Sequence, residues 1–213
     1  MINFIKKYES ANPKQHPVGM TFPSRGATNA VLYNSPTDWI SPNLGGAEES
    51  YGENPSPPRL GKVIVNDSDH LWGHVAGDGV WVWKSFCRGL NVLLMDDLVP
   101  LPTWQDSVRE GMEQTRRYAL RMNLAAMAPS SDLSTTTYCL ADRGKEYLVY
   151  QPGIKGEFAV DLTGAPGTFS VEWFSPTTGK TTSAGPISGG GKVRFSTPFG
   201  GPAVLCLKST GGH

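Results

Sequence analysis

Long apolar runs are missing from this sequence. No stretch approaches the roughly 20 consecutive apolar residues of a membrane span, so no membrane-spanning helix is expected. The amino terminus, MINFIKKYES, has no apolar core followed by small residues, and no secretory leader is read there. Charge of one sign is missing too. Lys and Arg total 19 and Asp and Glu total 19, so no net field draws the chain to nucleic acid or an anionic membrane. Cysteine is scarce. Cys87, Cys139 and Cys206 are odd in number and widely spaced, which sets neither a disulfide framework nor a zinc-ligand spacing. Cys87 reads as a buried helix residue, and a Cys139–Cys206 pair stays open for a secreted domain. Gly at 25 and Pro at 17 are plentiful, concentrated in loops and in the C-terminal half, and call for many turns. At 213 residues the chain can bury the core of one large domain or two small ones.

The most informative stretch is Lys62 to Gly73, KVIVNDSDHLWG. Val63-Ile64-Val65 is an apolar β-branched run of the kind a strand buried on both faces requires. It changes abruptly into Asn66, Asp67, Ser68, Asp69 and His70, followed by Leu71-Trp72-Gly73. Ligands of parallel α/β proteins sit at the carboxyl ends of strands, which makes Asp67 and Asp69 candidate catalytic carboxylates. A helix-like segment from Val80 to Arg88 follows, ended by Gly89, then a second apolar strand, Val92 to Met95, ending at Asp96-Asp97.

Upstream, Ile2, Phe4, Ile5 and Tyr8 among Lys6, Lys7 and Glu9 fit an amphipathic helix stopped by Asn12-Pro13. Pro17 to Phe22 reads as a short strand. From Ser24 to Gly61 no clean period survives, and the prolines rule out a long helix. Its centre holds Asp38-Trp39, with two readings open: a ligand contact, or a Trp packed at the rim of the fold. Downstream, Thr103 to Asp106 has the shape of a capping box. The helix it opens runs to about Leu124, with Val108, Met112, Thr115, Ala119 and Met122 facing a core and Arg116-Arg117 on a solvated face. Beyond Pro129 the period becomes two, over Thr135–Leu140, Glu146–Gln151, Glu157–Leu162, Thr168–Phe174, Lys192–Ser196 and Ala203–Lys208. About six short strands with Gly/Pro punctuation indicate an antiparallel β-sandwich.

These segments carry a resemblance. HPVGMTF, NSPTDWISPN, VIVNDSDHLWG and WVWKSFCRGLNVLLMDD resemble the later part of the (β/α)8 barrel of apiosidase-like glycoside hydrolases. GKEYLVYQPG, VDLTGAPGTFSVEWFSPTTGK and FGGPAVLCLK are similar to the collagen-binding-type domain appended to those enzymes. The implied fold class is α/β plus all-β: a partial barrel over residues 1–128 and a β-sandwich accessory domain over 129–213. The strands near Val18–Phe22, Val63–Asn66 and Val92–Met95 would be the sixth, seventh and eighth. The resemblance implies hydrolysis of glycosidic bonds in a polysaccharide, with the nucleophile at the end of the seventh strand. Asp67 is nearest that end and Asp69 is second; related enzymes carry Glu there. The acid/base would come from the fourth strand, in a missing N-terminal barrel half, and that half or a dimer partner would cover the open edge of residues 1–128. His70, Trp72, Asp38 and Trp39 would contact substrate. No cofactor is expected, and a parent protein of this kind is secreted or cell-surface.

The residues also admit other readings. Asp-x-Asp at a strand end can cap the next helix or hold a loop. Trp72 and Trp39 can stack on a sugar ring or pack. His70 and His74, four apart beside two carboxylates, fit zinc only on a helix, which Trp72-Gly73 disfavours, so no metal is assigned. The alternative functions are a non-catalytic carbohydrate- or matrix-binding module and a metal-dependent hydrolase.

Overall fold

The computed structural model describes residues 1–22, 28–43, 51–52, 54–70, 78–95, 105–153 and 156–211. The chain opens with α1 (Ile2–Glu9), the expected amphipathic helix. It continues through β1 (Gly19–Thr21), the one-turn helix α2 (Asn29–Tyr33), β2 (Trp39–Ser41) and β3 (Val63–Asp67). A 3-10 turn over Ser68–His70 follows, then α3 (Gly79–Cys87), β4 (Asn91–Leu93) and α4 (Gln105–Arg121). The four strands form a parallel sheet in chain order β1-β2-β3-β4. Strand β2 lies inside the stretch read as aperiodic. Its three residues between Pro36 and Pro42 are too few to show a period.

Register and burial divide the faces of this sheet. Ile40 pairs with Ile64, and both are fully buried against Leu32, Tyr33, Trp81, Val82 and Val108. The opposite face carries Trp39 and Val63 in register, then Val65, Asp67 and Leu93. Val63 is 51% exposed, Leu93 44% and Met95 52%. The two-sided burial expected of the Val63–Val65 run is therefore not found. Burial alternates along β3, because among the described residues no layer covers its second face.

The amino ends of the strands are closed by charged groups. Asp38, just before β2, accepts Lys6 Nζ at 2.6 Å and the Val18 N–H at 2.8 Å, which ties α1 and the entry to β1 onto β2. Lys62, just before β3, is buried and donates to the carbonyls of Ser35 and Thr37. Gly19 is required beneath Trp39: a Cβ there would lie 1.8 Å from the indole.

The C-terminal half forms β5 (Ala128–Pro129), β6 (Cys139–Asp142), β7 (Glu146–Gln151), β8 (Glu157–Asp161), β9 (Thr168–Phe174), β10 (Thr181–Ser188), β11 (Lys192–Ser196) and β12 (Ala203–Ser209). Six of them make an antiparallel sheet, β10-β9-β12-β7-β6-β5, and β8 pairs with β11 as a separate ribbon. Strands β5 and β10 were not expected. Strand β10, TTSAGPIS, is a mostly exposed edge strand with a register shift between Ala184 and Ile187, so its sequence shows no alternation. Pro186 fits such an edge, where no ladder hydrogen bond is lost.

This sheet is covered on both faces. The ribbon's Phe158, Val160 and Phe195 bury Tyr147, Val149, Phe169, Trp173 and Leu205. On the other face, Trp83 and Cys87 of α3, Tyr118 of α4 and Met122 just after it bury Leu140, Leu148, Tyr150, Phe174 and Val204. Helix α3 thus packs on the parallel sheet through Trp81 and Val82 and on the antiparallel sheet through Trp83 and Cys87. A helix apolar all round is a buried helix. Its N-cap Asp78 accepts the Trp81 N–H.

The alternation also settles the cysteines. Cys139 points to the ribbon side and Cys206 to the helix side of one sheet, with β7 between them, so they cannot pair. All three thiols are free and buried. Burial pushes Cys139 up to about 12 and Cys206 up to about 11, which removes thiolate chemistry at neutral pH.

Two predictions follow from this packing. A Cβ on Gly111 would sit 3.0 Å from the Gly79 Cα and 3.1 Å from the Val82 Cβ. Gly111→Val should therefore force α3 and α4 apart and cost about 1–3 kcal/mol, read as a lower urea midpoint at unchanged slope. Because the helix pair joins both sheets, tryptophan fluorescence and far-UV circular dichroism should report one shared transition. Two separated transitions would contradict a common core.

The second concerns Asp38, whose carboxyl is held below the usual aspartate range, first by Lys6 and then by the Val18 N–H. A depressed folded-state pKa stabilises above the ordinary value of about 3.9 and loses that contribution as pH falls through the folded value. Asp38→Asn should accelerate amide exchange in α1 at neutral pH, with the difference from wild type closing in acid. An equal difference at both pH values would show that the ion pair is not the anchor.

Candidate functional site

The alternation of β3 builds the site. Ile64 and Asn66 point into the helix layer, and Asp67 points to the uncovered face. Asn66 is fully buried; its Nδ2 donates to Ser85 Oγ at 2.8 Å, while its Oδ1 has no partner among the described residues. One residue past the strand, Ser68 is buried and its Oγ accepts the Met95 N–H at 2.9 Å, fixing the end of β4. Gln105 Nε2 donates to the Met95 carbonyl at 3.2 Å, which ties the first residue of α4 to the same point.

These polar residues went unassigned in the sequence, although a signal is present. Asn66 and Ser68 continue the helix-facing period of Ile64, where an apolar residue is expected.

Between these anchors Asp67 is half-buried at the carboxyl end of β3. Its Oδ1 accepts the Asp69 N–H at 3.0 Å. This is an Asx turn, in which the side chain holds the backbone two residues on. Asp69 is exposed on the 3-10 turn. The two aspartates are therefore brought together, with Asp69 supplying a backbone donor to Asp67. A carboxylate offers about four lone-pair sites, and among the described residues Asp67 uses one, leaving capacity for a substrate hydroxyl, a proton or an electrophilic carbon.

The other candidate residues are not gathered here. Asp38 and Trp39 stand at the amino end of β2, where Trp39 pairs in register with Val63. That is four residues before Asp67, or about 13 Å along a strand. Of the two readings open for them, ligand contact and packing, the contacts seen are those of packing: Asp38 is engaged by Lys6 and the Val18 N–H, and Trp39 lies over Gly19. His70 closes the 3-10 turn. The His70 side chain, Trp72, His74 and the Asp96-Asp97 pair lie outside the described residues. Among the described residues no three His, Cys, Asp or Glu side chains cluster as metal ligands, and no helix is long and apolar enough to cross a membrane.

Comparison with known proteins adds fold-level relatives. The family described as "Putative collagen-binding domain of a collagenase" matches residues 127–205. No curated protein matches the chain. Among solved structures, a glycoside hydrolase family 5 protein from Bacteroides vulgatus is similar with a TM-score of 0.64 at 16% identity, covering 96% of this chain and 58% of that one. A maltogenic α-amylase from Thermotoga neapolitana gives 0.55 at 10% identity, covering 98% and 59%. A family 30 endoxylanase from Clostridium papyrosolvens gives 0.52 at 11% identity, covering 98% and 60%. The chain thus spans less than two thirds of each of these structures. At such identities the likeness is one of fold: this chain has the mixed parallel and antiparallel architecture found in glycoside hydrolases, with a collagen-binding-domain match in its C-terminal half.

Proposed function

We propose that this chain is the C-terminal portion of a glycoside-hydrolase-like protein. In this reading residues 1–128 contribute the last four strand–helix units of a (β/α)8 barrel and 129–213 form a β-sandwich accessory domain. The observation that carries it is the position of Asp67: a half-buried carboxylate at the carboxyl end of a parallel strand, on a sheet face that no other described residues cover. The added strand β2 makes β1 to β4 the fifth to eighth strands, so β3 keeps the seventh place. The face bearing Val63, Val65, Asp67 and Leu93 becomes the barrel interior, which accounts for its apolar residues. The resemblance to apiosidase-like enzymes names the substrate class, a plant-type polysaccharide. The collagen-binding-type module would hold the enzyme on its matrix.

Asp67 is assigned the role of nucleophile. Retaining glycosidases place a second carboxyl roughly 5–5.5 Å from the nucleophile. Asp69 does not fill that role: it follows on the same turn and supports Asp67 through its N–H. The acid/base then comes from a strand outside β1–β4. The chain by itself should turn over neither aryl glycosides nor pectic oligosaccharides. The longest open reading frame that contains it should do so, and Asp67→Asn in that protein should lower kcat by roughly 10⁴-fold with the circular dichroism unchanged. Turnover by the 213-residue chain, or retained activity in Asp67→Asn, would overturn the assignment.

A further inference from the structure

Ser68 is the central residue of the Asx turn that holds Asp67: the Asp67 carboxylate reaches across it to the Asp69 N–H at 3.0 Å. It is 7% exposed, at a place where the period of β3 calls for an apolar side chain. The paired registers of β3 and β4 end at Asp67 and Leu93. One step further on, the Ser68 hydroxyl accepts the Met95 N–H at 2.9 Å, so a side chain continues the attachment where the strands no longer pair.

The Met95 carbonyl is held from the other side by Gln105 Nε2 at 3.2 Å, and Gln105 is 2% exposed at the start of α4. Three hydrogen bonds in series therefore lead from α4 through Met95 and Ser68 to one carboxylate oxygen of Asp67. Polar side chains are costly to bury, even when bonded, compared with an apolar pair of the same shape. An apolar pair, however, cannot fix the backbone of a turn.

We propose that Ser68 is a positioning residue for Asp67. By tying the turn to Met95 it sets the direction of the carboxylate on the open sheet face, and Gln105 keeps Met95 in place. This role rests on the reading of Asp67 as the nucleophile. A nucleophile has to meet its carbon at about 3–3.5 Å and in line. The Asp69 N–H orients the carboxylate only as firmly as the turn is held, and Asp69 is itself exposed. Ser68 supplies that hold from the buried side, without touching substrate.

The test uses the longest open reading frame that contains this chain, with an aryl glycoside or pectic oligosaccharide that it turns over. Ser68→Ala should lower kcat about 10- to 100-fold with KM within about 2-fold of wild type, the signature of a misplaced nucleophile. Ser68→Thr keeps the hydroxyl and should recover most of the rate. Ser68→Cys keeps the shape with a weaker acceptor, and should show the same split to a smaller extent if the alanine variant fails to fold. Ile64→Val, on the same strand, removes a buried methylene and leaves the turn alone, so it should lower stability with kcat unchanged. In the 213-residue chain, Ser68→Ala should speed amide exchange at Asp69 and Ile64→Val should not, a readout that needs no turnover. An equal fall in kcat for Ser68→Ala and Ile64→Val, a loss carried by KM, or no recovery in Ser68→Thr would overturn the positioning role and leave Asp67 as the nucleophile. Retained activity in Asp67→Asn, or no turnover by the unaltered protein, would overturn both.

Discussion

Helix α3 holds the two sheets to one another, and Trp83 is the residue by which it grips the antiparallel one. Trp83 is fully buried, contacts Tyr118, Tyr150 and Phe174 through its ring, and donates its indole N–H to Gln114 at 3.0 Å. Gln114 in turn donates to the Pro176 carbonyl at 2.9 Å, so one amide links α3, α4 and the turn after β9. The other face of α3 places Trp81 against the parallel sheet, with its own N–H on the Tyr51 carbonyl at 2.9 Å. Both indoles are thus buried with their donors satisfied, as burial of a tryptophan requires. The helix pair is a layer shared between two sheets, and neither sheet keeps its core without it. Gly79 and Gly111 allow this by letting the helix backbones approach closely.

The same layer explains why the two sheets differ. The antiparallel sheet is covered by helices on one face and by the β8–β11 ribbon on the other, so its central strands β7 and β12 are buried on both faces. Among the described residues the parallel sheet receives helices on one face only, although β3 has the unbroken Val-Ile-Val run of a strand meant for two. Full burial of an aliphatic side chain is worth about 1.5–3 kcal/mol. Val63, Leu93 and Met95, each about half exposed, leave a good part of that unrealised. This mismatch between composition and surroundings supports reading the uncovered face as the interior of a larger closed sheet.

Legibility in the sequence followed from length and from who supplies the partner. Strands β7, β9 and β11, with five to seven residues and local turns, have the bounds their alternation indicates. Helices α3 and α4 were likewise readable within a few residues. Strand β2 was not, because three residues carry no period, and β10 was not, because an exposed edge strand needs none. In α4 the buried face is wider than its apolar stripe: Gln114 is buried because its amide has partners on three sides, which only the tertiary arrangement reveals. At the site, Asp67 and Asp69 were legible from the change of composition at the end of β3. For Asp38 and Trp39 the sequence left ligand contact and packing both open, since an acidic–aromatic pair between prolines looks the same at either end of a strand.

Direction along the parallel strands is what separates those two pairs. At the amino ends, polar groups are consumed by the chain: Asp38 by Lys6 and Val18, and Lys62 by the Ser35 and Thr37 carbonyls. At the carboxyl ends the backbone is stitched by Ser68 and Gln105, which are neutral, and the charge is spared. Among the described residues Asp67 has one internal donor, enough to orient it and too few to saturate it. An aspartate saturated by a lysine and a backbone amide is an anchor. One held by a single N–H at a rigid strand end retains both its charge and its acceptor capacity for a ligand. That difference in occupancy, rather than the presence of acidic residues as such, is the physical reason to look for chemistry at Asp67 and for stability at Asp38.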